Sequence, residues 1–279
     1  MASSRLEPRF VERIWGRPLA RSWGAGDDDR AIGEIWFEHP SGPAADLLVK
    51  YLFTSQALSV QVHPDDRAAR AADHTRGKDE AWFVLRAEPG AVIGLGLNSA
   101  VSSSVLRDAA MDGTIEKLIH WRTVKAGDVL FSPAGTVHAI GAGIDLIEIQ
   151  QNIDLTYRLY DYKRGRDLHL DEGVAVAFPG PLRHAFGAFD QSPERRVLVE
   201  GPSFVLERAR LAKHRQASVR GDGLLLIPIG GGGRIGGDDL APGGVWRIDG
   251  MSMIEAVDGI DMLIAYPGAQ TRAEMLTLP

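Results

Sequence analysis

Leu58-Ser-Val-Gln-Val-His63 alternates apolar and polar side chains without a break, and Pro64 follows directly. A period of two is the mark of a β-strand, because successive side chains leave opposite faces of the pleat. Leu58, Val60 and Val62 are therefore expected on one face, and Ser59, Gln61 and His63 on the other. Pro64 has no N–H for a ladder and ends the strand. Such a strand packs a core behind it and lines something polar in front.

Runs of this kind recur. Residues 33–38, 47–53, 58–62, 80–85, 91–95, 129–132 and 144–149 read as short strands. Turn residues separate them, among them Ser41-Gly-Pro43, Pro89-Gly90 and Pro133-Ala-Gly135. With 32 Gly and 15 Pro to make turns, short strands at this spacing predict a sandwich or barrel. One stretch differs. Residues 102–111 and 114–121 carry helix-like apolar spacing (Val105, Ala109; Ile115, Leu118, Ile119), with Gly113 between them and Thr114 as the expected N-cap. Residues 1 to about 8 read as a loose start. The polar stretch 190–196, which contains Pro193, marks a boundary. The expected organisation is thus a larger β-domain over 1–189, with a short helical segment at about 102–121, and a smaller β-domain over 190–279. In the latter, residues 204–211, 224–229, 245–248, 252–257 and 262–266 read as strands. Gly230-Gly-Gly-Gly233 reads as a flexible turn, since a phosphate cradle needs a helix N-terminus after it and none is expected.

Four side chains in these runs can hold a metal. Gln61 and His63 point the same way, two residues apart. Glu80 opens Glu-Ala-Trp-Phe-Val-Leu85, in which Glu80, Trp82 and Val84 share a face; the carboxylate there is either an inward ligand or a solvated strand start. His138 closes Gly127-x5-Pro133-x-Gly135-x2-His138, a strand, a tight turn and a second strand led by histidine. That spacing resembles the second metal motif of the cupin superfamily, small double-stranded barrels that hold an ion between strands. The Asn usual four residues later is replaced by Ala142. The first cupin motif is altered too, with Gln61 for its first His and Glu80 further along. With no cysteine in the chain, thiolate sites and disulfides are excluded. Two imidazoles, a carboxylate and an amide oxygen point first to one Zn²⁺ per chain, with Mn²⁺, Co²⁺ or Fe²⁺ left open.

From Arg9 to about Tyr162 the chain resembles the type I mannose-6-phosphate isomerase (phosphomannose isomerase) family in its compact bacterial form. The words that carry the likeness are Trp15-Gly16, Gly33-Glu34, Leu58-Ser-Val-Gln-Val-His-Pro64, Gly77-Lys-Asp-Glu80, Pro133-Ala-Gly-Thr-Val-His138 and Ile149-Gln-Gln-Asn-Ile-Asp-Leu-Thr-Tyr-Arg158. The resemblance implies a mainly β fold of two cupin-like (double-stranded β-helix, or jelly-roll) domains. It also implies a zinc-dependent aldose–ketose isomerase that interconverts mannose 6-phosphate and fructose 6-phosphate. By motif, Gln61, His63, Glu80 and His138 fall on the metal ligands. Lys50, Ser59, Lys78, Glu148, Asp154 and Arg158 fall on pocket residues that bind substrate or move protons, and Trp15 on a pocket wall. Ile140 stands where longer members often carry Tyr, and the match weakens in the second domain.

An isomerisation through a cis-enediol(ate) needs an electrophile for the developing oxyanion, a base beside the carbon acid and a clamp for the phosphate. Ser59, Lys50, Lys78 and Arg158 are candidates for the clamp, and Glu148 or Asp154 for the base. Lys78 joins the acid–base candidates if a neighbouring charge lowers its pKa. Two other readings stay open: an Fe²⁺-dependent cupin oxygenase using His63, Glu80 and His138, and a non-catalytic sugar-phosphate-binding cupin. Net charge of −6 lends no support to a nucleic-acid partner, and no apolar run approaches the roughly 20 residues that span a bilayer. Arg5, Glu7, Arg9 and Glu12 occupy the place of a signal-peptide core, so a cytoplasmic protein acting on a small sugar phosphate is expected. The oligomeric state is left open.

Overall fold

The computed structural model describes residues 2–19, 23, 29–39, 45–183 and 187–279, so the Ser41-Gly-Pro43 turn lies outside the described residues. Among them the chain is mainly β and its strands pair antiparallel. Cα proximity groups residues 10–35 and 50–185 into one compact unit, and residues 1–9, 36–49 and 186–279 into another. Residues 190–279 all fall in the second unit. Residues 1–9 and 36–49, which a boundary near 190 assigns to the first domain, fall there too.

One sheet runs β2 (Glu7–Arg17), β3 (Ile32–Glu38), β4 (Leu47–Phe53), β11 (Ile144–Gln151), β6 (Glu80–Ala87), β9 (Val129–Ser132). A second runs β12 (Tyr157–Tyr160), β5 (Val60–Val62), β10 (His138–Ile140), β7 (Val92–Leu97), β8 (Ile119–Thr123). Their inner faces meet in a core of Trp15, Leu52, Trp82, Val84 and Leu146 from the first sheet, with Ile93, Leu95 and Ile140 from the second and Leu58 from the segment before β5. β4 and β11 are buried at every position, so their runs are continuous rather than alternating. The expected strand runs at 47–53 and 129–132 match β4 and β9 residue for residue.

The outer face of the second sheet is covered by helices. Val60, Val62, Val137, Ala139 and Leu159 pack there against Leu106, Ala109 and Ala110 of α2 (Ser103–Asp112) and Ile115 of α3 (Ile115–Leu118). Leu58 does not share this face. It precedes β5 and joins the inner core, because alternation holds only where the ladder does. Three helix details depart from the sequence reading. Val105 is 46% exposed and the buried stripe is Leu106, Ala109 and Ala110, one residue round the helix. Thr114 is the N-cap residue of α3, as expected, but its hydroxyl donates to Asp112 instead of accepting a helix N–H; α2 is capped by Ser102, whose Oγ accepts the Val105 N–H. The helical stretch stops at Leu118, and residues 119–121 enter β8 opposite β7. A shorter helix, α1 (Asp66–Ala71), is capped by the Asp65 carboxylate, and α4 (Leu170–Val176) lies beside β12.

The second unit holds one sheet in the order β13 (Phe189–Asp190), β14 (Arg195–Glu200), β15 (Phe204–Leu211), β18 (Trp246–Pro267), β16 (Gln216–Ile235), β17 (Asp238–Leu240). β1 (Ser3–Arg5) adds to β18 and β19 (Leu276–Thr277) to β16. The supposedly loose start is therefore paired, Ser3 opposite Ile248. The runs read as separate strands at 245–248, 252–257 and 262–266 fall, Val245 apart, in the single long β18, and 224–229 is part of β16. Gly230–Gly233 is no turn. It lies within β16 at register shifts against β18, Gly231 takes φ +71°, and a Cβ on Gly233 would come within 2.4 Å of the Glu255 carbonyl.

A buried charged cluster ties this unit together. Arg195 makes two 2.9 Å hydrogen bonds to Glu207, Tyr266 donates to the same carboxylate at 2.5 Å, and the guanidinium also reaches the Arg272 and Ala273 carbonyls. Glu207→Ala would strand the Arg195 charge, so it is expected to cost about 3–5 kcal/mol of unfolding free energy in a denaturant titration. A loss within about 0.5 kcal/mol, the size of a neutral surface change, would contradict that assignment.

Candidate metal centre and active site

Strand order brings the predicted ligands together. β5 lies between β12 and β10, so Gln61 has Arg158 as cross-strand neighbour on one side and His138 on the other. Glu80 starts β6 in the facing sheet, opposite Ser132 and Gln150, and shares its inward face with Trp82. The result is a closed group: one ligand atom each from His63, Glu80 and His138, all within 4.8 Å of one another. His63 Nε2 is 3.2 Å from Glu80 Oε1, and His138 Nε2 is 3.6 Å from Glu80 Oε2. None of the three side chains is more than 1% exposed.

The hydrogen bonds fix the tautomer of each histidine. His63 Nδ1 lies 2.8 Å from the Leu155 carbonyl and His138 Nδ1 lies 2.9 Å from the Thr136 carbonyl. A carbonyl only accepts, so both protons sit on Nδ1 and both Nε2 lone pairs face the cluster. Burial, and then the neighbouring Lys78 ammonium, lower the His63 pKa to about 4. Burial lowers that of His138 as well, against the pull of Glu80. Both rings are neutral at neutral pH. Burial opposes the Glu80 charge, but the Lys78 ammonium beside it outweighs that and holds the carboxyl well below its usual range. Glu80 Oε2 has no hydrogen-bond donor although it is buried. Two inward lone pairs around an unsatisfied carboxylate oxygen are the wrong partners for one another and the right ones for a cation. These residues fit a metal ion. Gln61 borders the cluster, its Nε2 3.2 Å from His138 Nε2 and its Oε1 accepting from Ser59 at 3.3 Å; a half-turn of the amide would present the oxygen instead.

Beside the cluster lies a cavity of about 280 Å³. Trp15, Lys50, Ser59, Gln61, Lys78, Glu148, Asp154 and Arg158 all line it, so every pocket residue named from the sequence reaches the same space. Glu148 is inward and buried. It accepts the Trp82 indole N–H at 3.0 Å and lies 3.5 Å from the Lys50 ammonium. Burial, then Glu80, push its pKa up, against Lys78 and Lys50. Lys78 is salt-bridged to Glu80. Burial opposes its charge, but Glu80, Glu148 and Asp154 together raise its pKa, so the condition for Lys78 to act as a base is not met. Asp154 is exposed, in the loop before β12, and converges with Arg158 on the cavity rather than forming a helical pair.

Arg158 donates to the Asp167 carbonyl at 2.8 Å, while its Nε is buried without a partner. The nearby carboxylate of Asp161 is taken by Arg164 and Arg166. Burial and the repulsion of Arg166 both work against the Arg158 charge. An anion in the cavity would relieve both.

Sequence reasoning missed Arg13, Glu34, Thr156 and Arg166, which also line the cavity. Arg13 and Glu34 are ion-paired at 2.6 Å across β2 and β3. Glu34 was visible only as part of a motif word, and the pairing depends on strand order. In total five basic and three acidic side chains line the cavity of a chain whose net charge is −6. Ile140 stays in the core.

Comparison with known proteins follows this geometry. No protein-family model matches the chain. A mannose-6-phosphate isomerase of Streptococcus mutans is 31% identical, over 82% of this chain and 85% of its own length. The mannose-6-phosphate isomerase ManA of Bacillus subtilis is 34% identical over 61% of this chain and 66% of its own. Among solved structures, the mannose 6-phosphate isomerase of Bacillus subtilis superposes with a TM-score of 0.81 at 24% identity, covering 95% of this chain and all of that one. A zinc-bound mannose 6-phosphate isomerase superposes at 0.70 and 16% identity, over 96% of this chain and all of that one. At these identities the solved structures speak for the fold.

Proposed function

The chain belongs to the mannose-6-phosphate isomerase family, and on that premise we propose that its cavity interconverts mannose 6-phosphate and fructose 6-phosphate through a cis-enediol(ate). The observation that carries the reading is the juxtaposition of the His63–Glu80–His138 cluster with a buried carboxylate, Glu148, in a cavity lined by basic side chains. A zinc ion held by His63, Glu80, His138 and the Gln61 amide oxygen would supply the Lewis acid for the oxygen on which charge develops. Zinc needs no redox change for this step, suits neutral imidazole with carboxylate, and is the ion bound in one structural relative.

The protein's own groups do the rest. Arg158, with its unpartnered Nε, and Ser59 receive the phosphate, and Lys50 and Lys78 add positive charge along the same wall. Glu148 takes and returns the proton between C1 and C2. Its raised pKa brings it closer to neutrality, where a general base both accepts and releases protons readily. Asp154 is the alternative base. Trp15 closes one wall and the Trp82 indole orients the Glu148 carboxylate. The substrate is a small molecule. Among the described residues no helix is long and apolar enough to cross a membrane, and the cysteine-free chain suits the cytoplasm, the compartment we propose.

Incubation with mannose 6-phosphate in D₂O tests the reading. Fructose 6-phosphate should accumulate carrying some deuterium at C1, with no oxygen uptake. Oxygen consumption with bound iron would mean the oxygenase instead, and bound sugar phosphate without any conversion would mean a binding protein.

A further inference from the structure

The turn Pro133–Thr136 bonds to two residues of the metal cluster, His63 and His138, and is itself held from outside by the Phe178 N–H on the Gly135 carbonyl and by Asp79. The Thr136 carbonyl holds His138 in its tautomer, and the Gly135 N–H donates to the His63 carbonyl at 2.8 Å. The Thr136 N–H closes the turn onto Pro133. The remaining N–H, that of Ala134, donates at 2.8 Å to Asp79 Oδ1. Asp79 is buried and adjoins Glu80. Its backbone is held from the other side: its N–H donates to Gln151 Oε1 at 2.9 Å and its carbonyl accepts the Gln151 N–H at 3.1 Å. Gln151 in turn donates to Asp66, whose Oδ1 also accepts the Gly77 N–H. Gly77 is pressed so close to the start of α1 that a Cβ would meet the Asp65 carbonyl carbon at 2.4 Å.

We propose that Asp79 is the positioning residue of the metal centre: its carboxylate ties the chain bearing Glu80 to the turn that orients His138 and His63, and so sets the spacing of the ligands. The inference rests on the metal reading above. It assigns Asp79 no contact with ion or substrate. Its effect is on how well the three ligands are preorganised, which in metal sites is commonly worth about 10–100-fold in affinity.

The test is zinc affinity, measured by competition with a chromogenic chelator on full-length wild type, Asp79→Ala and Asp79→Asn, with far-UV circular dichroism of each metal-free protein. Asp79→Ala should bind zinc about 10–100-fold more weakly and release it faster to EDTA. Asp79→Asn keeps an oxygen acceptor for Ala134 and should stay close to wild type. A residue that only stabilises the fold would lower metal-free and zinc-loaded stability alike and leave zinc affinity unmoved, and that result overturns the proposal. Should Asp79→Ala fail to fold, Gln151→Ala removes the other support of the same segment; it should weaken zinc binding in the same direction, and unchanged affinity counts against the proposal. If wild type itself binds no zinc, the metal reading has failed and this inference with it, whereas tight wild-type binding with an indifferent Asp79→Ala defeats this inference alone.

Discussion

His138→Ala should lower kcat for mannose 6-phosphate by about 10³-fold or more, because a Lewis acid is worth several kcal/mol and each 1.4 kcal/mol is a factor of ten. His138 is one of two neutral imidazoles facing Glu80, and its lone pair is kept inward by the bond from Nδ1 to Thr136. Without it the cluster retains His63, the Lys78-paired carboxylate and an amide. The loss should appear in metal content as well as in rate, and excess zinc should restore only part of it. A His138→Ala enzyme with full zinc occupancy and near-normal kcat would remove His138 from the ligand set. The fold should survive, since His138 lies at the start of a three-residue strand that stays paired through Ala139 and Ile140.

Glu148→Gln is the second large effect expected. The change keeps shape and an oxygen acceptor for the Trp82 indole while removing the basic site. General acid–base groups contribute about 10²–10⁴-fold, so kcat should fall by that factor with KM little changed. Deuterium wash-in at C2 of mannose 6-phosphate should slow in parallel. Since Glu148 titrates above the ordinary carboxylate range, the wild-type rate should decline as pH falls through its raised pKa and the base becomes protonated, and the residual rate of the variant should lack that limb. Asp154→Asn separates the alternatives. If it alone slows exchange, the base is Asp154. If neither variant does, both assignments fail.

How far the sequence leads can be judged at particular residues. The alternation through Ser59, Gln61 and His63 was enough to put polar groups on one face, and the site lies there. The same reasoning misplaced Leu58, which precedes the ladder, and chose Val105 over Leu106 for the buried stripe of α2. A stripe one residue off still has helical period, and only the facing sheet decides between the two. The Gly230–Gly233 run looked like a turn because glycine marks turns and bulged strands alike, and what distinguishes them is a partner strand in register, here β18. Arg13 and Glu34 meet because β2 and β3 are neighbours, a fact of strand order with no local signature. Electrostatics was the least legible layer. Lys78 could be named as a pocket residue, but whether its pKa rises or falls depends on the balance of burial against Glu80 and Glu148, which needs the fold.

The proposed isomerisation depends on one metal ion held by His63, Glu80, His138 and Gln61. The most direct measurement dialyses the protein against EDTA, verifies by mass spectrometry that it is metal-free, and follows conversion of mannose 6-phosphate to fructose 6-phosphate while zinc is added back. Activity should disappear and return linearly until one zinc ion per chain has been added. Undiminished conversion by verified metal-free protein, or no conversion at any zinc level, would contradict it.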